Sequence, residues 1–137
     1  MNYLTEEFKY KKMFNFLGRW VLLNECGISV GEYLKDAGVR NVAIYGFGIL
    51  GKHLLFELRQ SGINIVYGID KRSDKLNLDI LFLDWEKKED LPDVDMLIVT
   101  AIADYPMIEK EICEVREYPI VSLEDIFENM EKQRRSM

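Results

Sequence analysis

Histidine, cysteine and proline are scarce in this sequence, and each scarcity excludes a class of site. There are one histidine, two cysteines and three prolines among 137 residues. Cys26 and Cys113 lie far apart, without a C-x-x-C pair or a histidine-rich companion, so we expect two reduced, buried thiols and no metal site. Unpaired cysteines are typical of a reducing compartment, which predicts a cytoplasmic protein.

The sequence also lacks an excess of positive charge and any long apolar run. Its net charge of −6 argues against the basic surface that sequence-independent nucleic-acid binding requires. Three lysines precede the apolar stretch MFNFLGRWVLL, as in a signal peptide, but Asn15 and Arg19 interrupt it. The stretch is shorter than the ~20 apolar residues of a spanning helix and no small-residue cleavage site follows. We therefore expect neither an export signal nor a transmembrane segment.

Apolar side chains are plentiful, at 48% of the residues, and indicate one globular domain with a single core. Near the N-terminus they recur at helical spacing in two adjacent stripes. The first stripe consists of Tyr10, Phe14, Leu17 and Val21, and the second of Met13, Phe16, Trp20 and Leu23. We therefore predict an N-terminal helical extension over residues 1–39, packed on a nucleotide-binding domain over residues 40–137.

The stretch VAIYGFGILGKHLLFELRQSG contains glycines at G-x-G-x-x-G spacing. It predicts a buried strand, a tight turn and a helix, in which Gly46 allows the turn and Gly51 allows close helix packing. Gly48 would let the backbone approach a pyrophosphate, which the free amides at the helix start favour. We expect Phe47, Ile49 and Leu50 to line the same site.

An acidic residue at the end of the next strand supplies the second half of this pattern. Asp70 lies 19 residues after Gly51, in INIVYGID, where a carboxylate accepts from the ribose hydroxyls of NAD. Lys71 and Arg72 follow and could meet a 2′-phosphate, but Asp70 would repel that group. Thr100 and Ala101, at the end of a later strand, are predicted to wall the nucleotide.

Strands and helices alternate through the rest of the chain. After the strand at 42–45 and INIVYGID come three more predicted strands, in DILFL, VDMLIVTA and YPIVSL. This alternation predicts an α/β fold with a doubly wound, parallel, five-stranded sheet in the Rossmann-like order 3-2-1-4-5.

The stretches from 42 to 70, VDMLIVTAIADYPMIEKEI and YPIVSLEDI, together resemble a known class of small domains. They are similar to NAD(P)-binding Rossmann-type domains found, alone or fused to transferases, in bacterial capsule and surface-polysaccharide gene clusters. Related halves occur in sugar-nucleotide dehydratases, sialic-acid-type acetyltransferases and potassium-channel regulatory domains. The resemblance implies a nucleotide-binding role for the three glycines and Asp70, without establishing a reaction.

Two classes of function remain open. One is a non-catalytic module that senses or presents a dinucleotide or sugar nucleotide. The other is a minimal NAD-dependent oxidoreductase or sugar-nucleotide-modifying enzyme with its substrate site between subunits. The Tyr67 and Lys71 pair mimics a dehydrogenase motif but spans a strand end, and His53 has no evident orienting partner, so no residue is assigned a catalytic role. We favour the module; in a third reading the turn is empty.

The N-terminal helix also predicts a partner. A sheet covers one apolar stripe of an added helix, which leaves the other exposed as a contact surface. We expect a homodimer through this helix, and a membrane-surface role is the alternative.

Overall fold

A parallel sheet forms the centre of the molecule, in a computed structural model that describes residues 6–117 and 119–136 but not the side chain of Ala103. Its four strands are β1 (Asn41–Tyr45), β2 (Asn64–Ile69), β3 (Met96–Val99) and β4 (Ile120–Ser122), in the order β2-β1-β3-β4. All three pairings are parallel. The predicted α/β class with a parallel sheet is confirmed.

Five helices complete the described part of the chain: α1 (Glu6–Glu25), α2 (Val30–Asp36), α3 (Ile49–Gln60), α4 (Tyr105–Cys113) and α5 (Leu123–Arg135). Short 3₁₀ turns occur at Ser73–Lys75, Trp85–Asp90 and Ile102–Asp104. Two apolar clusters cover the two faces of the sheet, because successive side chains of a strand point to opposite faces. Val42 and Ile44 of β1 belong to the cluster formed with α1, α2, α3 and α5, whereas Ala43 belongs to the cluster formed with α4.

The prediction of a fifth strand in DILFL is wrong, because the described sheet has four strands. Residues 79–83 lie beside β2, where that strand was expected, but meet it in a single bridge between Gly68 and Phe82. Gly68 N–H donates to Leu81 O at 2.8 Å, and Leu83 N–H donates to Gly68 O at 3.0 Å. The Ile80 N–H instead donates to Leu78 O within the segment. This local turn bends the segment away from β2, so an apolar run of strand-like composition forms no continuous ladder.

The first helix contributes to the core, and its two apolar stripes have different surroundings. Phe16 stacks on Phe127 with ring centroids 4.3 Å apart, and Trp20 packs edge-on against the same ring at 5.0 Å. The Trp20 indole N–H also donates to a carboxylate oxygen of the buried Glu57 at 2.7 Å. The other stripe is exposed at Tyr10, Phe14 and Val21 and half-buried at Leu17.

Candidate functional site

The residues predicted to bind a nucleotide surround one open cleft at the carboxyl ends of β1, β2 and β3. The cleft has a volume of about 750 Å³. All of the residues predicted from the sequence line it: Gly46, Phe47, Gly48, Ile49, Leu50, Gly51, Asp70, Lys71, Thr100 and Ala101. The structure adds Met13, Tyr45, Asp104 and Met107 to this lining, and Arg72, which the sequence places next to Lys71, lines it as well. In open parallel sheets, ligands bind in a crevice at this edge.

Two of the three motif glycines are required by the fold itself. Gly46 has a φ of +103°, and a Cβ there would lie 2.5 Å from the Thr100 hydroxyl oxygen. At Gly51, a Cβ would overlap the carbonyl oxygen of Gly46 and lie 2.8 Å from its carbonyl carbon. The start of α3 therefore packs directly on the turn, as predicted for the first and third glycines of this motif.

Gly48 differs from Gly46 and Gly51, because no contact among the described residues requires it to be glycine. Its φ of −76° and ψ of −158° lie in the extended region that any residue adopts. A Cβ at this position would meet no heavy atom of the described residues within 4 Å. Gly48 is the N-cap of α3 and lines the cleft, so the absent side chain leaves space in front of the helix start. The first amides of a helix have no intrahelical acceptor, and an anion is attracted to them.

Asp70 joins the end of β2 to the glycine turn. One carboxylate oxygen accepts from Phe47 N–H at 2.8 Å and the other from Arg72 N–H at 2.8 Å. The Arg72 guanidinium adds longer contacts of 3.3 and 3.4 Å. Burial alone would raise the pKa of Asp70, but the hydrogen bonds from Arg72 and Phe47 outweigh it and hold the pKa below its usual range. Asp70 is therefore ionised at neutral pH.

The two long contacts define where a ribose could bind to Asp70. The Arg72 side chain is 58% exposed, whereas the Asp70 side chain is only 7% exposed. A ribose hydroxyl could replace the guanidinium contacts while both short backbone hydrogen bonds remain. Arg72 would then be released next to the ribose.

Thr100 fixes the opposite wall of the cleft. Its hydroxyl lies 2.8 Å from Gly46 O and 3.1 Å from Tyr45 O, and its backbone N–H donates to Tyr45 O at 2.9 Å. Both donors of this residue therefore hold the end of β3 against the turn. Thr100 shapes the cleft rather than offering a free hydroxyl to a ligand.

Tyr45 is a cleft residue that the sequence analysis missed. Burial raises the pKa of its phenol, and the nearby carboxylates of Asp104, Glu111 and Asp70 raise it further. Trp85 packs edge-on against the Tyr45 ring at 5.2 Å. The position of Tyr45 immediately before Gly46, at the end of a predicted strand, was a sequence signal that could have placed it in the cleft. No such sequence signal exists for Met13, since no local pattern shows that α1 reaches this cleft.

His53 and Tyr67, which the sequence analysis considered for catalysis, and Tyr105 at the start of α4 do not form a catalytic group in the structure. His53 does not line the cleft; its ring packs against Trp20 at 4.6 Å and lies 6.1 Å from the Phe56 ring. Tyr67 is fully buried in the core. The Tyr105 hydroxyl contacts Glu109 at 2.6 Å and Ile120 O at 3.0 Å, and its pKa is raised by burial and by the Glu109 carboxylate. Tyr105 thus holds its proton.

Three further features of the described residues concern metal ligands, the two cysteines and membrane-spanning helices. Residues 6–117 and 119–136 contain no group of three or more histidine, cysteine, aspartate or glutamate side chains that could hold a metal ion. The prediction of buried thiols is wrong, because Cys26 and Cys113 are both exposed: Cys26 follows the end of α1 and Cys113 closes α4 on the solvent side. In the same part of the chain, no helix combines the length and apolar character needed to cross a bilayer.

No protein-family model, no curated protein and no solved structure matches this chain. The resemblance to small domains of surface-polysaccharide clusters stays a prediction that rests on the quoted residues.

Proposed function

We propose that this chain is an accessory module that binds a nucleotide at the carboxyl edge of its sheet without transforming it. The ligand class is a dinucleotide, with NAD as the first candidate, or a sugar nucleotide. The setting that the sequence resemblance implies is cytoplasmic biosynthesis of a bacterial surface polysaccharide. The fold, an α/β domain with a parallel sheet, is compatible with a Rossmann-like module of this kind.

One observation carries the proposal: Gly48 faces open space at the start of α3 although the fold does not require glycine there. Gly46 and Gly51 can be explained by the turn alone, so they do not distinguish an empty turn from a binding turn. A backbone that leaves the helix amides accessible, beside a cleft of about 750 Å³, has the form of a phosphate-binding turn.

The absence of assembled catalytic groups at the described cleft favours a binding role over an enzyme. Asp104 is exposed and lines the cleft, yet no histidine or lysine forms a hydrogen bond with it among the described contacts. Tyr45, another ionisable residue of the lining, has a raised pKa and is therefore a poor base at neutral pH.

A thermal-shift panel on the purified chain tests this proposal. The panel contains NAD, NADP, UDP-sugars, CDP-sugars and S-adenosylmethionine. A ligand present at 100 times its Kd stabilises the folded state by about 2.7 kcal/mol, which raises the melting temperature by several degrees. We expect at least one nucleotide to do so. The proposal fails if none does, and turnover of a nicotinamide-linked sugar nucleotide by the chain alone would favour the enzyme alternative.

We propose in addition that the chain forms a homodimer through the exposed stripe of α1. Tyr10, Phe14 and Val21 are 63%, 75% and 54% exposed, and they follow one another along one side of the helix. Two copies of such a stripe are complementary in a two-fold arrangement, which is the commonest form of oligomer. A lipid surface is the alternative occupant, which a vesicle-binding assay distinguishes.

A further inference from the structure

The direction of α1 relative to the cleft is fixed by contacts with α3. The Trp20 indole and the Asn24 amide each donate to a carboxylate oxygen of Glu57 at 2.7 Å. Glu57 lies near the end of α3, whereas Met13 lines the cleft together with Ile49 at the start of α3. The two helices therefore run in the same sense. The turns of α1 that precede Met13 extend past the cleft.

Lys9 lies on the same face of α1 as the residues that pack against the rest of the protein. Residues four, seven and eleven positions apart share one face of a helix, and these spacings lead from Lys9 to Met13, Phe16 and Trp20. Phe16 and Trp20 are buried and Met13 is half-buried, but Lys9 is exposed. Four residues of helix span about 6 Å. Lys9 therefore lies one turn of helix beyond Met13, which lines the cleft.

The charged residues that line the cleft cancel one another, so a phosphate group would meet no net positive charge there. Lys71 and Arg72 are the positively charged lining residues, and Asp70 and Asp104 are the negatively charged ones. Arg72 is already paired with Asp70. The formal charge of the described lining residues is therefore zero, whereas a diphosphate carries at least two negative charges.

We propose that Lys9 binds the phosphates of a nucleoside diphosphate held in front of Gly48, and that the first turns of α1 form the second wall of this phosphate site. The inference rests on the proposed function and adds a residue and a ligand class to it. In this arrangement Gly48 and the α3 amides approach the phosphates from the sheet, and the Lys9 ammonium approaches them from the opposite side.

The test measures binding of ADP and UDP, with adenosine and uridine as phosphate-free probes, by isothermal titration calorimetry. We expect Lys9→Gln to weaken binding of the better diphosphate about five-fold, the size of one exposed charge interaction, and Lys9→Arg to preserve it. The nucleosides should bind the parent and Lys9→Gln equally. Lys11→Gln is the matched control, because Lys11 is also exposed but lies about 200° around the same helix.

The outcomes separate this inference from the proposed function. Equal diphosphate affinities for Lys9→Gln and Lys11→Gln, combined with loss of binding in Gly48→Val, would overturn the role of Lys9 and leave the module in place. An equal loss of nucleoside and diphosphate affinity in Lys9→Gln would also overturn it, since the effect would not involve the phosphates. If neither diphosphate binds the parent protein while a ligand of the thermal-shift panel does, the role of Lys9 fails and the module remains; if no panel ligand binds either, both fail.

Discussion

Replacement of Gly51 by alanine tests whether the glycine turn is built as described. The added Cβ would overlap Gly46 O and lie 2.8 Å from the Gly46 carbonyl carbon, well inside the ~3.5–4.0 Å of an ordinary carbon contact. The Gly46 peptide cannot move freely, because its N–H donates to Ile69 O at 2.9 Å and its carbonyl accepts from the Thr100 hydroxyl at 2.8 Å. The start of α3 must therefore shift away from the sheet.

The expected cost combines three contributions. Overpacking costs about 1–3 kcal/mol, a weakened hydrogen bond to Thr100 costs about 1 kcal/mol, and the higher helix propensity of alanine returns about 1 kcal/mol. We therefore expect Gly51→Ala to lower the free energy of unfolding by about 2 kcal/mol, which shifts the urea midpoint by about 1 M at a slope near 2 kcal/mol/M.

Gly18→Ala is the matched control for this measurement. Gly18 lies inside α1, and a Cβ there meets no heavy atom of the described residues within 4 Å. The same substitution should therefore stabilise the protein by up to about 1 kcal/mol. Urea unfolding followed by circular dichroism compares the two variants. Midpoints that move in the same direction would refute the close approach of Gly51 to Gly46.

The remaining predictions concern the ribose and the partner. Asp70→Asn removes the charge that pairs with Arg72, so we expect weaker NAD binding and a several-fold smaller preference for NAD over NADP; an unchanged ratio in calorimetry would remove Asp70 from the site. Phe14→Glu places a charge at the centre of the exposed stripe of α1, and we expect it to convert a dimer into a monomer by light scattering, whereas Lys11→Glu should not. A parent protein that is monomeric at micromolar concentration would contradict the dimer.

The sheet could be predicted largely from local pattern, because its strands are short, apolar and separated by clear turns. The order of the four observed strands agrees with the predicted order, in which the predicted strands two, one, four and five are neighbours. DILFL has the composition of a strand, but pairing also requires free N–H groups along one edge. The turn at Leu78 and Ile80 removes one of them, and such a turn has no glycine or proline to reveal it.

The cleft residues also divide into those that a local sequence pattern predicts and those that it does not. The motif fixed the positions of Gly46, Gly48 and Gly51 because their spacing follows from one local turn. The contact of Arg72 with Asp70 and the reach of Met13 into the cleft depend on side-chain rotamers and on the packing of α1 against α3 through Glu57. The first contact is local but set by a rotamer, and the second depends on long-range packing between segments with no shared pattern, so the sequence alone revealed neither.

The measurement that tests the central claim most directly is calorimetric titration of NAD, or of the panel ligand with the largest thermal shift, into the parent and Gly48→Val. Because a Cβ at residue 48 meets no heavy atom within 4 Å in the described part of the chain, the variant should stay folded. Gly18→Val controls for the added bulk at an equally open glycine. The branched side chain would occupy the space in front of the α3 amides, so we predict affinity at least ten-fold lower in Gly48→Val and unchanged in Gly18→Val. Equal affinity of Gly48→Val and the parent would show that the glycine turn does not hold the ligand.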